Sequence, residues 1–283
     1  MIRLRSHLAA AAALAVLALP AAAQGRGTAD ILRDVSARAR ARTQGVQNYT
    51  ISSKTMGMTL VSYVERDAEG AFQVQTVGTG ELANVVSEVS GWADEMLSMM
   101  ENTLAQVGGT QEEMEALTYE GVRSSAGAPA HRISMRFPVD SAAETGEAMP
   151  RHMSIDFDTA TFLTRRLEVE MPPAPAGGAG MRVVAELGDW RPVEGMLIAF
   201  RRHLEIHGIR GAMLGEDTTA AQEMLTQGRT MLAGLPPEER EGMRQMLQML
   251  EGVVKRDEMV LDELVISVAV NRGRPAGMRG KND

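Results

Sequence analysis

Two arginines stand where an alternating strand pattern places apolar residues. Arg165 is in phase with Leu163, Leu167, Val169 and Met171, and Arg202 with Ile198, Phe200, Leu204 and Ile206. A guanidinium in an apolar interior is costly unless it is paired or reaches water. Two readings stay open. Each arginine holds a carboxylate or a ligand headgroup from inside a cavity, or a bulge or a snorkelling stem turns it outward.

Three further groups could do chemistry. His203, Glu205 and His207 share one strand face. At about 3.3 Å per residue the two histidines start about 13 Å apart, too far for one metal ion, and they lie opposite Leu204 and Ile206. A solvated outer face is therefore expected, and His131 and His152 are single strand residues with no recognisable partner. The second group is methionine, 21 of 283 residues, with no cysteine. Met96, Met99, Met100, Met224, Met231, Met243, Met246 and Met249 fall on expected helices. Thioether stems can pack a core, line an adaptable apolar surface, or converge on Cu(I) at i, i+3 spacing, as Met96/Met99/Met100 and Met243/Met246 would. No neighbouring His or Cys completes a copper set. The third is Gly78-x-Gly80-x-x-Ala83 between a strand and a helix. It lacks the parallel crossover and acidic strand end of a dinucleotide site. The chain has no G-x-S-x-G, H-E-x-x-H or P-loop.

Composition narrows the classes. Without cysteine there is no disulfide scaffold, thiol nucleophile, Cys zinc site or iron–sulfur cluster. With 29 Lys+Arg against 37 Asp+Glu, a formal charge of −8, no basic nucleic-acid footprint is expected.

Residues 1–23 read as a secretory leader. Arg3 and Arg5 precede an apolar run from Leu8 to Leu19, and Pro20-Ala21-Ala22-Ala23 supplies a small-residue cleavage site. The run is too short to span a bilayer. Removal of the leader takes the formal charge from −8 to −10, and no cysteine offers a lipid anchor. No later run approaches a membrane span, so a soluble periplasmic protein is expected.

The rest reads as one domain over residues 24–271. A helix near Thr28–Ala39 carries an Ile31/Leu32/Val35/Ala39 stripe. Strands follow at Tyr49/Ile51, at Met58/Leu60/Val64 and at Phe72/Val74, with a turn at Asp67–Gly70. Residues 81–105 switch to helical period, ending at Gly108-Gly109, with a short helix near 111–116. From 117 to 207 alternation returns. Ile133/Met135/Phe137, Met153/Ile155/Phe157, Leu167/Val169/Met171, Met181/Val183/Ala185/Leu187 and Met196/Ile198/Phe200/Leu204/Ile206 each mark one apolar face. Residues 172–178 form a Pro/Gly loop. A helical insertion at about 216–256 restarts at Pro236-Pro237-Glu238-Glu239, with acids at the positive end of its dipole. A last strand is expected with Leu264, Ile266, Val268 and Val270 on one side, and residues 272–283 form a Gly/Arg-rich tail expected to be disordered. About ten strands and four helices in this order give an α+β fold: an antiparallel half-barrel sheet with helices on its concave apolar face.

The segment Asp189-Trp190-Arg191-Pro192-Val193-Glu194-Gly195-Met196-Leu197-Ile198-Ala199-Phe200 resembles the turn-and-strand signature of the LolA/LolB-like superfamily of periplasmic lipoprotein carriers. Ala199 stands near where many relatives carry proline. Ile155-Asp156-Phe157-Asp158-Thr159-Ala160-Thr161 resembles the acid-and-turn segment before it. The resemblance implies a half-barrel whose concave side holds an apolar ligand such as acyl chains, and a buried arginine that latches a lid. Under it, the expected ligand-contacting residues are Arg165, Arg202, Phe157, Phe200, Trp92, Met96, Met100 and Met246. The expected function is a non-enzymatic holder of lipid, a lipidated protein or another amphiphile, with no catalytic residue, metal or cofactor. The alternatives are an envelope sensor or protein-interaction module on the same scaffold, and a methionine-based Cu(I) protein.

Overall fold

The computed structural model describes residues 26–68, 70, 72–79, 86, 87, 90, 91, 95, 96, 117–137, 150–172, 180–211, 218–275 and 278. The expected leader, the short helix near 111–116, Trp92, Met99, Met100 and most of the glycine motif at 78–83 lie outside them.

Ten strands form one antiparallel sheet: β1 Asn48–Thr55, β2 Met58–Arg66, β3 Phe72–Thr79, β4 Leu117–Ser125, β5 Ala128–Arg136, β6 His152–Asp158, β7 Thr164–Glu170, β8 Arg182–Val193, β9 Met196–His207 and β10 Glu258–Val270. Their order is β3-β2-β1-β10-β9-β8-β7-β6-β5-β4. The last strand thus enters between β1 and β9 and joins two meanders. β3 and β4 end the sheet without pairing to each other, so it stays open. Three helices complete the described elements: α1 Arg26–Arg42, α2 Thr219–Leu232 and α3 Pro237–Arg256. The described residues between 86 and 96 are helical as well. This is the expected α+β half-barrel.

The concave face is built from register rows. One runs Met259, Ile206, Val183, Val169, Met153, Met135, Leu117, and the next Leu261, Leu204, Ala185, Leu167, Ile155, Ile133, Tyr119. Side-chain alternation sends every residue of a row to the same side. Leu32 and Val35 of α1, with Met96, cover the β4–β7 end of these rows. Met249 and Val253 of α3, with Val86, cover the β8–β10 end. In α2, Gly228 admits Leu247 of α3, whose Cδ2 would lie 2.6 Å from a Cβ there. Proline in the first turn of α3 stands where expected.

The convex face carries a charge ladder. Arg132, Asp156, Arg166, Glu186, His203 and Asp262 are successive cross-strand partners. Arg132 donates to both Asp156 oxygens at 2.6 and 2.8 Å, and Arg166 donates to Glu186 at 3.2 Å. His203, Glu205 and His207 stand on this face, as the alternation implies.

β10 corrects one expectation. Its register with β1 shifts between Ser52 and Ser53. Before the shift Met259, Leu261, Glu263 and Val265 are buried; beyond it the interior receives Val268 and Val270. Leu264 and Ile266 are 49% and 47% exposed, on the other side from Val268. A bulge adds one residue and inverts the phase of everything past it. The start of the tail is tied to the sheet: Gly273 donates to Asn48, and the Arg274 guanidinium sits over the Tyr63 ring at 5.3 Å.

Candidate functional site

Toward the β8–β9 turn the concave face changes character. The row after Leu261 and Leu204 consists of Glu263, Arg202 and Leu187. The side chains of Arg202 and Glu263 are only 16% and 6% exposed, and Arg202 NH1 lies 3.9 Å from Glu263 Oε2. Ser90, on the helical stretch, donates to the other Glu263 oxygen. Glu263 thus supplies a counter-charge to the buried guanidinium at ion-pair distance.

Above this row lie two clefts that share Arg42 and Leu197. The narrower, about 50 Å³, is lined by Ile51, Val64, Leu187, Trp190, Met196, Ile198 and Arg202 among others. The wider, about 230 Å³, lies between α1 (Val35, Arg38, Ala39, Arg42) and the β6–β7 hairpin (Phe157, Phe162, Leu163, Thr164). Trp190 bridges the walls: its indole donates to the Thr164 carbonyl at 3.2 Å, and the Arg42 guanidinium lies 5.3 Å from the ring centroid.

The walls are held rigidly. Past α1 the chain is clamped by Arg66, which donates to the carbonyls of Thr43, Val46 and Gly70 at 3.0, 2.8 and 2.6 Å. Asn271 accepts from the Gln47 amide at 2.8 Å and donates to the Gly45 carbonyl. The β6–β7 turn is organised by Asp158. One of its oxygens accepts from the amides of Ala160 and Thr161 and the Thr161 hydroxyl; the other accepts from Arg165 Nε at 2.9 Å. The Arg165 hydrogen bond is the main reason the Asp158 carboxyl is held well below the usual carboxylate range; burial opposes it, and the Thr161 and Ala160 contacts add to it. The turn presents Phe162 at φ 56°, a costly backbone for a bulky residue. Its ring stacks on His131 at 5.6 Å, and Tyr119 meets His131 Nδ1 at 2.9 Å. Burial lowers the His131 pKa, against a weaker pull from Asp158.

The expected ligand-contacting residues separate. Phe157 and Arg202 line the two adjoining clefts. Arg165 sits at a register shift, since Arg166 faces Asp156 and Thr164 faces Phe157, and its guanidinium ties down the turn. Phe200 packs beside Ile51, Met196 and Val265, under the Arg191 guanidinium at 4.6 Å. Met96 is buried in the α1 cluster and Met246 is half-buried on α3. Met224 and Met231 are exposed on α2. Sequence reasoning missed Glu263, Ser90, Arg42, Trp190 and Phe162. Glu263 had a signal in its two-residue spacing from Leu261 and Val265, and Phe162 had one in the Asp158-x-x-Thr161 turn before it. Among the described residues no three His, Asp or Glu could hold a metal ion, and no helix is long and apolar enough to cross a membrane.

No family model matches the chain, and no curated protein matches it. Several solved structures are similar in form. A domain from Vibrio parahaemolyticus, named provisionally for outer membrane lipoprotein sorting, aligns over 88% of this chain and 95% of its own at 7% identity and a TM-score of 0.44. A DUF1329 family protein from Desulfovibrio piger aligns over 88% and 95% at 10% identity and 0.38. A LolA superfamily protein from Nitrosomonas europaea aligns over 89% and 98% at 8% identity and 0.33.

Proposed function

We propose that the chain is a non-enzymatic binding protein that holds an amphiphile in the cleft between α1 and the two hairpins, and that it works in the periplasm once its leader is removed. One observation carries this reading. Most of the concave face is closed by helix side chains, yet beneath the last turns of α1 an apolar, aromatic-walled cleft is left open and braced on both sides. Such a concavity with a few placed polar groups is how small-molecule sites are built. Each methylene transferred into it gains about 0.8 kcal/mol, so a single alkyl chain suffices for useful affinity. A lipidated protein would enter by the same chemistry, through an acyl chain.

Native mass spectrometry of the protein purified from its source envelope tests this. A bound amphiphile is expected, and it should be lost from the Leu197→Trp variant, which fills the junction of the two clefts. A ligand-free protein that also fails to take up a fluorescent fatty acid overturns the reading. In that case a protein bound in its place would favour the interaction module.

A further inference from the structure

We infer that the segment after β10, residues 271–274, is a strap that holds the two walls of the cleft together, with Asn271 as its positioning residue, and that the amphiphile leaves when the strap lets go. This rests on the reading above and names the regulation of that same site.

Topology places the strap. β10 lies between β1, which follows α1, and β9, which closes the β8–β9 hairpin. Its pairing with β9 ends at Leu264 opposite Arg201, while its pairing with β1 runs on to Val270 opposite Tyr49. The chain therefore emerges between the base of α1 and the tip of the β8–β9 hairpin, whose Gly195 and Leu197 line the wider cleft.

Each strap residue ties one side. The Asn271 side chain accepts from the Gln47 and Asn48 amides at 2.8 and 3.3 Å and donates to the Gly45 carbonyl at 3.2 Å. These groups lie on the link that leads from α1 into β1. Asn271 makes the bonds at φ 52°, a left-handed backbone that asparagine adopts more readily than most residues. Arg272 reaches the other wall, its Nη2 3.3 Å from Glu194 in the β8–β9 turn. Gly273 donates to Asn48 Oδ1 at 2.9 Å, and Arg274 pairs with Glu65 of β2. One short segment thus joins the base of α1, the hairpin tip and the first meander.

The strap is also the brace that opens first. Arg66 holds the same link, but its bonds to Val46 and Thr43 are part-buried, whereas those of Asn271 lie at the surface. The Arg272 and Glu194 side chains are 71% and 46% exposed. Hydrogen bonds and ion pairs in reach of water contribute little each, because water competes for both partners. A segment held this way near a chain end opens locally while the sheet stays folded. Release of Asn271 frees α1 to turn about Gly45, whose φ of 76° is a glycine conformation. Release of Arg272 frees the hairpin tip. Either movement changes the spacing of the walls that enclose the alkyl chain. The coupling is reciprocal, so a bound amphiphile holds the strap closed.

The test uses the full-length protein and cis-parinaric acid, whose fluorescence follows its release in stopped flow. Asn271→Gly keeps the left-handed backbone and removes the three side-chain bonds. It should release the probe about tenfold faster, with faster hydrogen exchange at residues 43–48 and an unchanged urea midpoint. Asn271→Asp keeps the oxygen that accepts from Gln47 and Asn48 and drops only the donation to Gly45, so its rate should fall between the two. The chain has no cysteine, so Glu194→Cys/Arg272→Cys can be joined by a bifunctional maleimide. The joined protein should release the probe about tenfold more slowly than the same variant before joining. Wild-type release from both Asn271→Gly and the joined protein overturns the strap and leaves the amphiphile reading standing. An Asn271→Asp variant as fast as Asn271→Gly overturns the positioning role. Faster release that comes with a lowered urea midpoint and faster exchange across the whole sheet makes Asn271 a residue of the fold and overturns the role as well. Failure of the wild type to take up the probe overturns the amphiphile reading itself and the strap with it.

Discussion

The two ends of the concave face use the same alternation and reach opposite outcomes. At the end toward the β8 N-terminus, the rows through Ile206 and Leu204 are wholly apolar and are closed by Leu32, Val35, Met96, Met249 and Val253. Toward the β8–β9 turn, one row further along the same strands, the sheet presents Glu263 and Arg202, and the space above them is a cleft. Nothing in the strands alone separates a core from a site. The difference lies in which rows the helices reach. α1 buries Leu32 and Val35 near its middle, while its last turns carry Arg38, Ala39 and Arg42 along the cleft, where the space stays open.

Two substitutions would break this comparison if they behaved alike. Ile155→Ala, at a fully buried position of the closed end, should lose about 4 kcal/mol in urea unfolding, the sum of lost transfer energy and the cavity left behind. It should leave amphiphile affinity unchanged. Glu263→Leu should lose about 3 kcal/mol, because it strips a buried guanidinium of its carboxylate. The double variant Arg202→Leu/Glu263→Leu should recover most of that stability, as apolar replacements of buried pairs do. Recovery would show that the pair serves the site and not the fold. If the double variant stays as unstable as the single one, the distinction between closed and open ends is lost.

Much of this architecture is legible in the residues. Strong alternation at Ile133/Met135, Met153/Ile155, Leu167/Val169 and Leu204/Ile206 specifies strands and their inner faces, because one slip would expose the whole set. Pro237 and the acids after it mark the start of α3. β10 is ambiguous in sequence because two phases compete within it: Met259, Leu261 and Val265 against Leu264, Ile266, Val268 and Val270. The bulge that settles the contest depends on pairing with Ser52 and Ser53, some two hundred residues earlier, and no local pattern records it. The same holds for Arg165, whose odd phase is a register shift opposite Asp156 and Phe157. The cleft is the least legible feature. It is a volume left between elements, and Arg38 and Arg42 read in sequence only as the polar face of an amphipathic helix.

The smallest expected effect sharpens the comparison from the other side of the sheet. His203 is partly buried on the convex face, which disfavours its charged form, but hydrogen bonds to Asp262 at 2.7 Å and Glu205 at 3.1 Å outweigh this and raise its pKa. A pKa raised on folding means that the protonated imidazole stabilises the fold. That contribution is complete below the unfolded value near 6.5 and is lost as pH rises through the folded value. Thermal unfolding of the wild type should therefore fall slightly in Tm as pH rises from about 6 to 8, by about a degree given the worth of a part-exposed pair. His203→Gln should flatten that slope. Amphiphile affinity should not follow the His203 titration, because the imidazole stands on the opposite face of the sheet from Arg202. An affinity that rose and fell with His203 would couple the two faces through β9 and would end the separation between a binding side and a solvated side.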